Sequence, residues 1–274
     1  MRGKTVVITG ATSGIGEVAA LKLAENGARI VFVARDKQRA DALLGILPGS
    51  AAHAYHLTDL STINDMKRVG AAIADAVPKI DVLMNNAGAL FAKRKLTADG
   101  LEMTFAVNHM AYFVLTNLLL ANVQAAGGRI VCSASAAHGG ASLDFSDLQN
   151  ARAFSAYGAY GRSKLCNILF TRALARRVGP GVTANCLHPG FVNTRFGDSA
   201  GGATAAAFKV AKLSAMSAER GAETMIWLAS SAEAAQYNGL YFDRCKAVAP
   251  SAAAQDDKVA ERLWAESARI AGLG

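Results

Sequence analysis

A tyrosine and a lysine near the middle of the chain have the types and the spacing that proton transfer needs. Tyr160 and Lys164 open a strongly helical segment, where residues four apart lie on one face. The free groups titrate at about 10 and about 10.4. In a partly dry cleft the ammonium would favour the phenolate and lower the pKa of Tyr160. The pair would then exchange protons near neutral pH, although Tyr-x-x-x-Lys alone is also common as an ordinary surface pair.

A glycine-rich turn follows the first predicted strand. Residues 4–9 form a short β-branched run, and Gly10, Gly14 and Gly16 lead from it into a helical pattern. Strand, glycine-rich turn and helix in this order are typical of dinucleotide-binding folds. Gly10 would permit the tight turn, Gly14 the approach of a pyrophosphate, and Gly16 close packing of helix on sheet. Free N–H groups at the helix N-terminus would bind the phosphates. An ordinary strand-to-helix turn is the alternative.

The end of the second predicted strand bears on the cofactor. Residues 29–34 form that strand, and Arg35 and Asp36 follow it. An acidic residue at this place bonds the ribose 2′-hydroxyl of NAD, whereas an arginine accommodates the 2′-phosphate of NADP. The first charged residue is Arg35, so we predict NADP(H). Asp36 keeps NAD(H) open as the alternative.

Polar and small residues follow three further strands, at the edge where open α/β sheets bind ligands. Asp59 follows the third strand, where it would bond an adenine edge or start the next helix near residues 61–62. Residues 85–88, Asn-Asn-Ala-Gly, follow the fourth strand and suit a flat ring lying against the backbone. Ser135 follows the fifth strand. Asn108 lies among apolar residues of a long helical region, so it joins a core network or serves a site.

Composition excludes several classes of protein. The chain has 274 residues, 52% hydrophobic residues, a mean hydropathy of +0.21 and a net charge of +8. No Lys/Arg run indicates nucleic-acid binding, and Arg172, Arg176 and Arg177 are interpreted as the solvated face of a helix. No apolar run approaches the roughly 18 residues of a membrane span, and no signal peptide is recognised before the first strand. Four widely spaced cysteines without a Cys-x-x-Cys pair or zinc-ligand spacing predict no metal site and a cytoplasmic protein.

Alternating strand and helix patterns run through the chain without a break. They predict one α/β domain over residues 1–274, a Rossmann-type doubly wound parallel sheet of about seven strands with helices on both faces. Residues 190–217 are rich in Gly, Ala and Ser and carry scattered apolar residues. We expect them to form a mobile lid over an apolar substrate pocket. The high Ala and Gly content suggests a bacterial source with a GC-rich genome.

Taken together, these motifs resemble the short-chain dehydrogenase/reductase family over nearly the whole chain. The pattern is most similar to the retinol dehydrogenase branch, through residues 107–113, 163–170, 187–190 and 239–246. The family motifs are Thr9-Gly10-x-x-x-Gly14-x-Gly16, Asn85-Asn86-Ala87-Gly88, Asn108, Ser135, Tyr160-x-x-x-Lys164 and Pro189-Gly190. Many relatives carry a membrane anchor before the first strand, and none is recognised in this sequence.

The resemblance implies a role for each matched position. Tyr160 would be the general acid/base, and Lys164 would lower its pKa and bond the nicotinamide ribose. Ser135 would hold the substrate oxygen, and Asn108 would support a proton relay to Lys164 through water. Ser135 is preferred for its place 25 residues before Tyr160, and Ser133 stays open. Cofactor contacts would come from Gly10, Thr12, Ser13, Gly14, Ile15, Gly16, Arg35, Asp59, Leu60, Asn86, Ala87, Gly88, Tyr160, Lys164, Pro189, Gly190, Val192 and Thr194.

The resulting hypothesis is an NADP(H)-dependent oxidoreductase. It would transfer hydride between the nicotinamide and the carbonyl or alcohol carbon of an apolar ketone, aldehyde or alcohol. The resemblance also implies dimers or tetramers built on the two long central helices and the last strand. A dinucleotide sensor without chemistry is one alternative, although it would need only the glycine-rich turn. An epimerase or dehydratase is another, but such chains usually carry a larger substrate domain.

Overall fold

Eight strands form one sheet in the computed structural model, which describes residues 1–49, 51–192 and 216–273. The order across the sheet is β3-β2-β1-β4-β5-β6-β7-β8, and only β7 and β8 pair antiparallel. The strands are β1 (Thr5–Thr9), β2 (Arg29–Ala34), β3 (Ala54–Leu57), β4 (Val82–Asn85), β5 (Arg129–Ser133), β6 (Thr183–His188), β7 (Tyr241–Asp243) and β8 (Lys246–Val248). The predicted doubly wound α/β fold is confirmed, with one strand more than expected.

Helices cover both faces of the sheet, which is why the central strands are buried apolar runs rather than alternating ones. On one face the core contains side chains of α3, α4, α5 and α7, and on the other side chains of α1, α2 and α6. The helices are α1 (Gly14–Glu25), α2 (Lys37–Ile46), α3 (Ile63–Ala76), α4 (Met103–Gln124), α5 (Ala156–Ala175), α6 (Ala218–Ser230) and α7 (Asp257–Ala271). Helix α4 contains a π-helical turn at Ala106–Met110.

The chain reverses its direction across the sheet between β1 and β4. From β1 it proceeds outward through β2 and β3, and it then returns to place β4 on the other side of β1. Loops on either side of such a switch point diverge and leave a crevice at the carboxyl ends of the strands. The Gly10 turn after β1 and the Asn86–Gly88 segment after β4 therefore border this crevice.

Helix α7 packs on α5, where the sequence predicted solvent or a partner subunit. Arg172 and Arg176 pair with Asp257, and Arg176 and Arg177 pair with Glu261. These arginines are therefore bound within the chain and do not form the freely solvated face that the sequence indicated. Helix α7 packs against α4 and α5, the two long helices on which the expected dimer would be built.

Aromatic rings hold α7 in place. Trp264 stacks on Phe170 with ring centroids 5.8 Å apart and meets the edge of Phe113 at 5.0 Å. Leu263 beside it is fully buried. Helix α4, which these rings touch, is long and apolar enough to cross a membrane, and most of it is buried inside the fold. Its hydrophobic sequence therefore has an explanation in its central position in the core.

The predicted lid is described only at its two ends. Val192 and Met216 form an isolated parallel bridge, and the amide of Met216 donates to the Phe191 carbonyl at 2.8 Å. The rest of the 190–217 segment lies outside the described residues, as does the predicted cofactor contact Thr194.

We expect Leu263→Ala to lower the free energy of unfolding by about 2–5 kcal/mol, because it leaves a cavity between α7 and α5. Urea unfolding followed by circular dichroism would measure this. Lys258→Ala on the exposed side of α7 is the matched control and should change stability by less than about 0.5 kcal/mol. Equal effects of the two substitutions would show that α7 is not part of the core.

Candidate active site

Ser135 and Tyr160 meet at the carboxyl edge of the sheet. Ser135 follows β5 and accepts a hydrogen bond from the Ala137 amide at 3.2 Å, which starts a short 3-10 turn. Tyr160 lies in the second turn of α5, which Ser155 caps by accepting from the Gly158 amide. The Ser135 and Tyr160 side chains are hydrogen bonded to each other. This contact favours Ser135 over Ser133 as the serine that shares a substrate oxygen with the phenol.

Lys164 lies one turn further along α5 and is buried. Its Nζ donates to the Ser133 carbonyl at 3.0 Å and lies 5.5 Å from the centre of the Tyr160 ring. Burial lowers the pKa of Lys164 to about 8, because an ammonium out of water is destabilised relative to the amine. The predicted pairing of Tyr160 and Lys164 on one helix face is therefore present, and the lysine ammonium bonds the Ser133 carbonyl.

The pKa of Tyr160 moves in the direction opposite to the one expected from the sequence. Burial raises the pKa of its phenol well above 10, and the hydrogen bond with Ser135 offsets only part of that rise. The expectation considered only the charge of Lys164, whose ammonium faces the Ser133 carbonyl. In this arrangement the phenol keeps its proton at neutral pH, which is the form that donates.

Asn108 joins a buried hydrogen-bond network, which is one of the two alternatives that the sequence left open; a role in the site stays a prediction. Its Oδ1 accepts from the Ala89 amide at 2.8 Å, and its Nδ2 donates to the Ala89 carbonyl and to Ser163 Oγ, both at 2.9 Å. Ser163 in turn donates to the Tyr160 carbonyl at 2.7 Å. A Cβ on Gly88 would lie 3.3 Å from Lys164 Nζ and 3.4 Å from Asn108 Oδ1. Asn108 is thus a network residue that also borders the space beside Lys164.

Side chains from three strands close the floor of the crevice. Thr9 Oγ1 accepts from the amides of Asn86 and Ala87, both at 3.0 Å. The Asn86 amide group donates to the carbonyls of Thr9 and Gly10, and its Oδ1 accepts from Ser133 Oγ at 3.2 Å. These bonds fix the segment after β4 against the turn after β1. Ser133 therefore faces the predicted cofactor side, and Ser135 faces Tyr160.

The turn after β1 fits a dinucleotide. A Cβ on Gly16 would lie 2.3 Å from the Gly10 carbonyl oxygen, so only glycine allows α1 to start this close to the strand. Ser13 is the N-cap of α1, and within the described residues its side chain makes no capping hydrogen bond. The first amides of α1 are therefore not bonded by this cap, which suits them to bind phosphate oxygens.

Of the charged residues after β2 and β3, one caps a helix and two are exposed. Asp36 caps α2 by accepting from the Arg39 amide at 3.1 Å, and its carboxylate lies 3.6 Å from Arg39 Nε. Arg35 is exposed and has no ion-pair partner in the part of the chain that the structure describes. Thr62 caps α3, so Asp59 is not needed to start that helix and stays exposed after β3.

The remaining predicted cofactor contacts lie at the same edge of the sheet. They are Thr12, Ser13, Gly14 and Ile15 in the turn and first turn of α1, Leu60 after β3, and Pro189, Gly190 and Val192 after β6. Their contact with a cofactor stays a prediction.

Four further polar residues connect the site: three were not predicted as site residues, and the fourth, Ser133, is the serine that the sequence left open. Thr9, Ser133, Ser163 and Asn167 are all buried and all bond site residues or their backbone. Ser163 and Asn167 lie three and seven residues after Tyr160, on the same face of α5. The sequence did contain a signal for these two residues, because they are polar, lie in an apolar helix and have the spacing that puts them on the face of Tyr160.

We expect Lys164→Met to stabilise the cofactor-free protein at pH 7 by about 1–3 kcal/mol, because it removes the cost of burying an ammonium. Below pH 8 Lys164 is protonated in both the folded and the unfolded chain, so the whole cost is present. Between about 8 and 10.5 only the unfolded chain holds the proton, and the wild type regains stability as pH rises.

Urea unfolding of both proteins from pH 6 to pH 10.5 would test this, with Lys258→Met as the control for loss of an exposed lysine. A stability difference that did not shrink with rising pH would contradict the prediction.

Comparison with known proteins agrees with the resemblance. The family model described as short chain dehydrogenase matches residues 4–203. Retinol dehydrogenase 13 of Homo sapiens is 41% identical over 99% of this chain and 85% of its own length. A protein of Streptomyces sp. (strain C5), provisionally named daunorubicin C-13 ketoreductase DnrU, is 39% identical over 98% of this chain and 93% of its own.

Solved structures show the same fold with either nicotinamide cofactor. A short chain dehydrogenase from Burkholderia cenocepacia J2315 in complex with NADP has a TM-score of 0.70 and 28% identity, covering 89% of this chain and 97% of that one. A 3-ketoacyl-(acyl-carrier-protein) reductase from Brucella melitensis complexed with NADH has a TM-score of 0.67 and 25% identity, covering 88% and 96%. With its sheet order, its glycine turn and its Ser135–Tyr160–Lys164 site, this chain belongs to the short-chain dehydrogenase family.

Proposed function

We propose that this protein is an NADP(H)-dependent oxidoreductase that interconverts a carbonyl and an alcohol on an apolar small molecule. The observation that carries the proposal is the meeting of Ser135, Tyr160, Lys164 and Asn108 beside the glycine turn. A protein that only sensed the dinucleotide would need the turn and not this set of proton-handling side chains. Retention of all four favours chemistry.

The chain's own residues account for the polar steps. A bound nicotinamide dinucleotide would supply or accept the hydride. Ser135 and Tyr160 would both bond the substrate oxygen, where negative charge develops during reduction. The protonated phenol of Tyr160 is the proton donor, and an alkoxide is a strong enough base to take its proton. Lys164 and Asn108 border the space behind Tyr160, through which a proton would be replaced.

An apolar substrate is supported by two independent features. Phe191, next to Gly190 at the end of β6, is a large hydrophobic side chain that is 42% exposed beside the site. The names of the two relatives refer to retinol, which is largely hydrocarbon, and to the C-13 ketone of daunorubicin, which is a bulky polycyclic molecule. We therefore propose a bulky apolar aldehyde, ketone or alcohol.

The proposed preference for NADP(H) rests on the different surroundings of Arg35 and Asp36. Asp36 is committed to capping α2 and lies close to Arg39, so its carboxylate is poorly placed to accept from a ribose hydroxyl. Arg35 is exposed at the end of β2 and is able to turn toward a 2′-phosphate, which it would bind through a charge-assisted contact.

We also propose a reducing, cytoplasmic setting. All four cysteines are free, and Cys132, Cys166 and Cys186 are buried. Burial raises the pKa of the Cys166 thiol to about 12, which keeps it unreactive. We further propose self-association, which would have to use surface that α7 leaves uncovered.

We expect Tyr160→Phe to reduce kcat by at least a hundredfold while the protein still binds NADPH, because it removes the donated proton and keeps the ring. The assay is oxidation of NADPH with a panel of aldehydes and ketones that runs from small and polar to large and apolar. Tyr237→Phe, on the opposite face of the sheet, is the matched control and should retain wild-type turnover.

Full turnover by Tyr160→Phe would remove the proton-transfer assignment. If the wild-type protein bound NADPH tightly but reduced no member of a broad panel, the non-catalytic sensor would become the better reading.

We expect Arg35→Ser to raise the KM for NADPH by roughly ten- to a hundredfold, the range for loss of a hydrogen bond to a charged group. The KM for NADH should change little, because NADH lacks the 2′-phosphate. Steady-state kinetics with both cofactors measures this, with Arg269→Ser on α7 as a control for net charge. A larger effect on NADH than on NADPH would contradict the cofactor assignment.

A further inference from the structure

A chain of buried polar side chains runs from α7 toward Lys164. Ser267 of α7 lies 2.8 Å through Oγ from Nε2 of His109, and both residues are completely buried. His109 belongs to the π-helical turn of α4 and is surrounded by the rings of Phe105, Phe113 and Phe170. The side chain of Asn167 on α5 lies close enough to raise the pKa of His109 through a hydrogen bond, and Nδ1 is the ring nitrogen that Ser267 leaves for it.

At the other end, the Ser133 carbonyl accepts two side-chain donors. The pairing of β4 with β5 ends at Asn85 and Cys132, so the next carbonyl is outside that ladder. It accepts from Lys164 Nζ at 3.0 Å and from Asn167 Nδ2 at 3.1 Å. Lys164 and Asn167 are one turn apart on α5, and together they occupy both lone pairs of this oxygen.

The donor and acceptor types of these groups allow only one direction for the series of hydrogen bonds between Ser267 and the Ser133 carbonyl. A carbonyl only accepts, so Asn167 must present its nitrogen to Ser133 and its oxygen to His109. Among the described residues, Asn167 Oδ1 and His109 Nδ1 are both buried, and neither has a hydrogen-bond partner of good geometry. A proton on Nδ1 satisfies both atoms at once. His109 Nε2 is then an acceptor, and the hydroxyl of Ser267 donates to it.

We propose that His109 and Asn167 are positioning residues that hold the Ser133 carbonyl, and through it the Lys164 ammonium, with Ser267 fixing the His109 tautomer. The proposal rests on the proposed oxidoreductase function and adds α7 to the machinery that sets the active-site lysine. Neither His109 nor Asn167 touches the reacting atoms.

The cost of this arrangement argues that it does more than fill space. An imidazole and an amide are placed inside a cluster of aromatic rings, where an apolar side chain would avoid all desolvation. Burial also lowers the pKa of His109 to about 3, so the ring stays neutral in the physiological range and keeps one tautomer. A neutral ring with a fixed N–H is able to orient an amide without adding charge beside Lys164.

Two substitutions at His109 distinguish its hydrogen bond to Asn167 from its hydrogen bond to Ser267. The amide nitrogen of Asn stands where Nδ1 of His stands, and that of Gln stands where Nε2 stands. His109→Asn should therefore keep the donor to Asn167 and retain kcat/KM within about threefold of wild type. His109→Gln and Asn167→Leu should lose the link and lower kcat/KM by about tenfold or more.

The pH profile distinguishes positioning from simple loss of structure. Lys164 is faced by the rings of Tyr112 and Tyr160 and by the thiol of Cys132, which none of these variants alters. Without a held carbonyl, its ammonium loses an acceptor and its pKa falls further. The alkaline limb of kcat/KM should therefore move to lower pH in His109→Gln and Asn167→Leu and stay in place in His109→Asn. His53→Asn is the matched control, because His53 also bonds through both ring nitrogens but lies immediately before β3, outside this hydrogen-bonded chain.

A readout independent of turnover keeps this test separate from the proposed function. Two-bond nitrogen–proton spectra of histidine-labelled protein resolve the tautomer of each of the five histidines, and His109→Asn assigns the signal. We expect the Nδ1–H tautomer in wild type and a mixed or changed tautomer in Ser267→Ala. If wild type reduced no carbonyl, the proposed function would fail while the tautomer result still tested this link.

Two results would overturn the proposal. One is an Nε2–H tautomer of His109 in the wild-type protein. The other would be found in the His109 and Asn167 variants. It is that the alkaline limb of kcat/KM stays where it is in the wild type, and that the loss of kcat/KM follows the loss in melting temperature, as in His53→Asn.

Discussion

The Lys164 ammonium, buried behind the site and held by one backbone carbonyl, is the constraint on which the rest of the site depends. A buried cation persists only if its donors are satisfied and its surroundings do not relax away from it. Here β5 must end at Ser133 to free that carbonyl, and α5 must start so that Lys164 reaches it. A side chain at Gly88 would crowd Lys164 and Asn108, its neighbours on that side. The length of β5, the position at which α5 starts and the glycine at position 88 therefore all fit the Lys164 ammonium.

The order of the strands in the sheet creates the crevice beside Lys164. Because β1 and β4 are neighbours but are connected in opposite directions across the sheet, the segments after them separate and leave room for a ligand. Thr9, Asn86 and Ser133 then bond across that gap with side chains and not with the strand ladder. The crevice is thus open at the top and rigid at its floor, as positioning a flat ring requires.

Much of this could be predicted from the sequence, because the signals are local. The strand–glycine–helix order and the Tyr-x-x-x-Lys spacing depend only on nearby residues, and they gave the fold and the central pair. Strand β8 was missed because all three of its residues are exposed and carry no buried apolar pattern. The pairing of Arg172, Arg176 and Arg177 with α7 joins residues far apart in sequence. The pKa of Tyr160 was placed on the wrong side of 10 because burial, which spacing does not report, outweighs the neighbouring charge.

The docking of α7 also bears on how the chain is made. Phe113 and Phe170 lie on helices that are synthesised before β6, α6, β7 and β8, whereas the tryptophan that covers them is synthesised after all of these. A nascent chain therefore carries an uncovered aromatic surface while the last three strands of its sheet are still missing, and such surfaces attract other unfinished chains. Protection during translation, by a chaperone or by slow exposure, is a need that follows from this order of assembly.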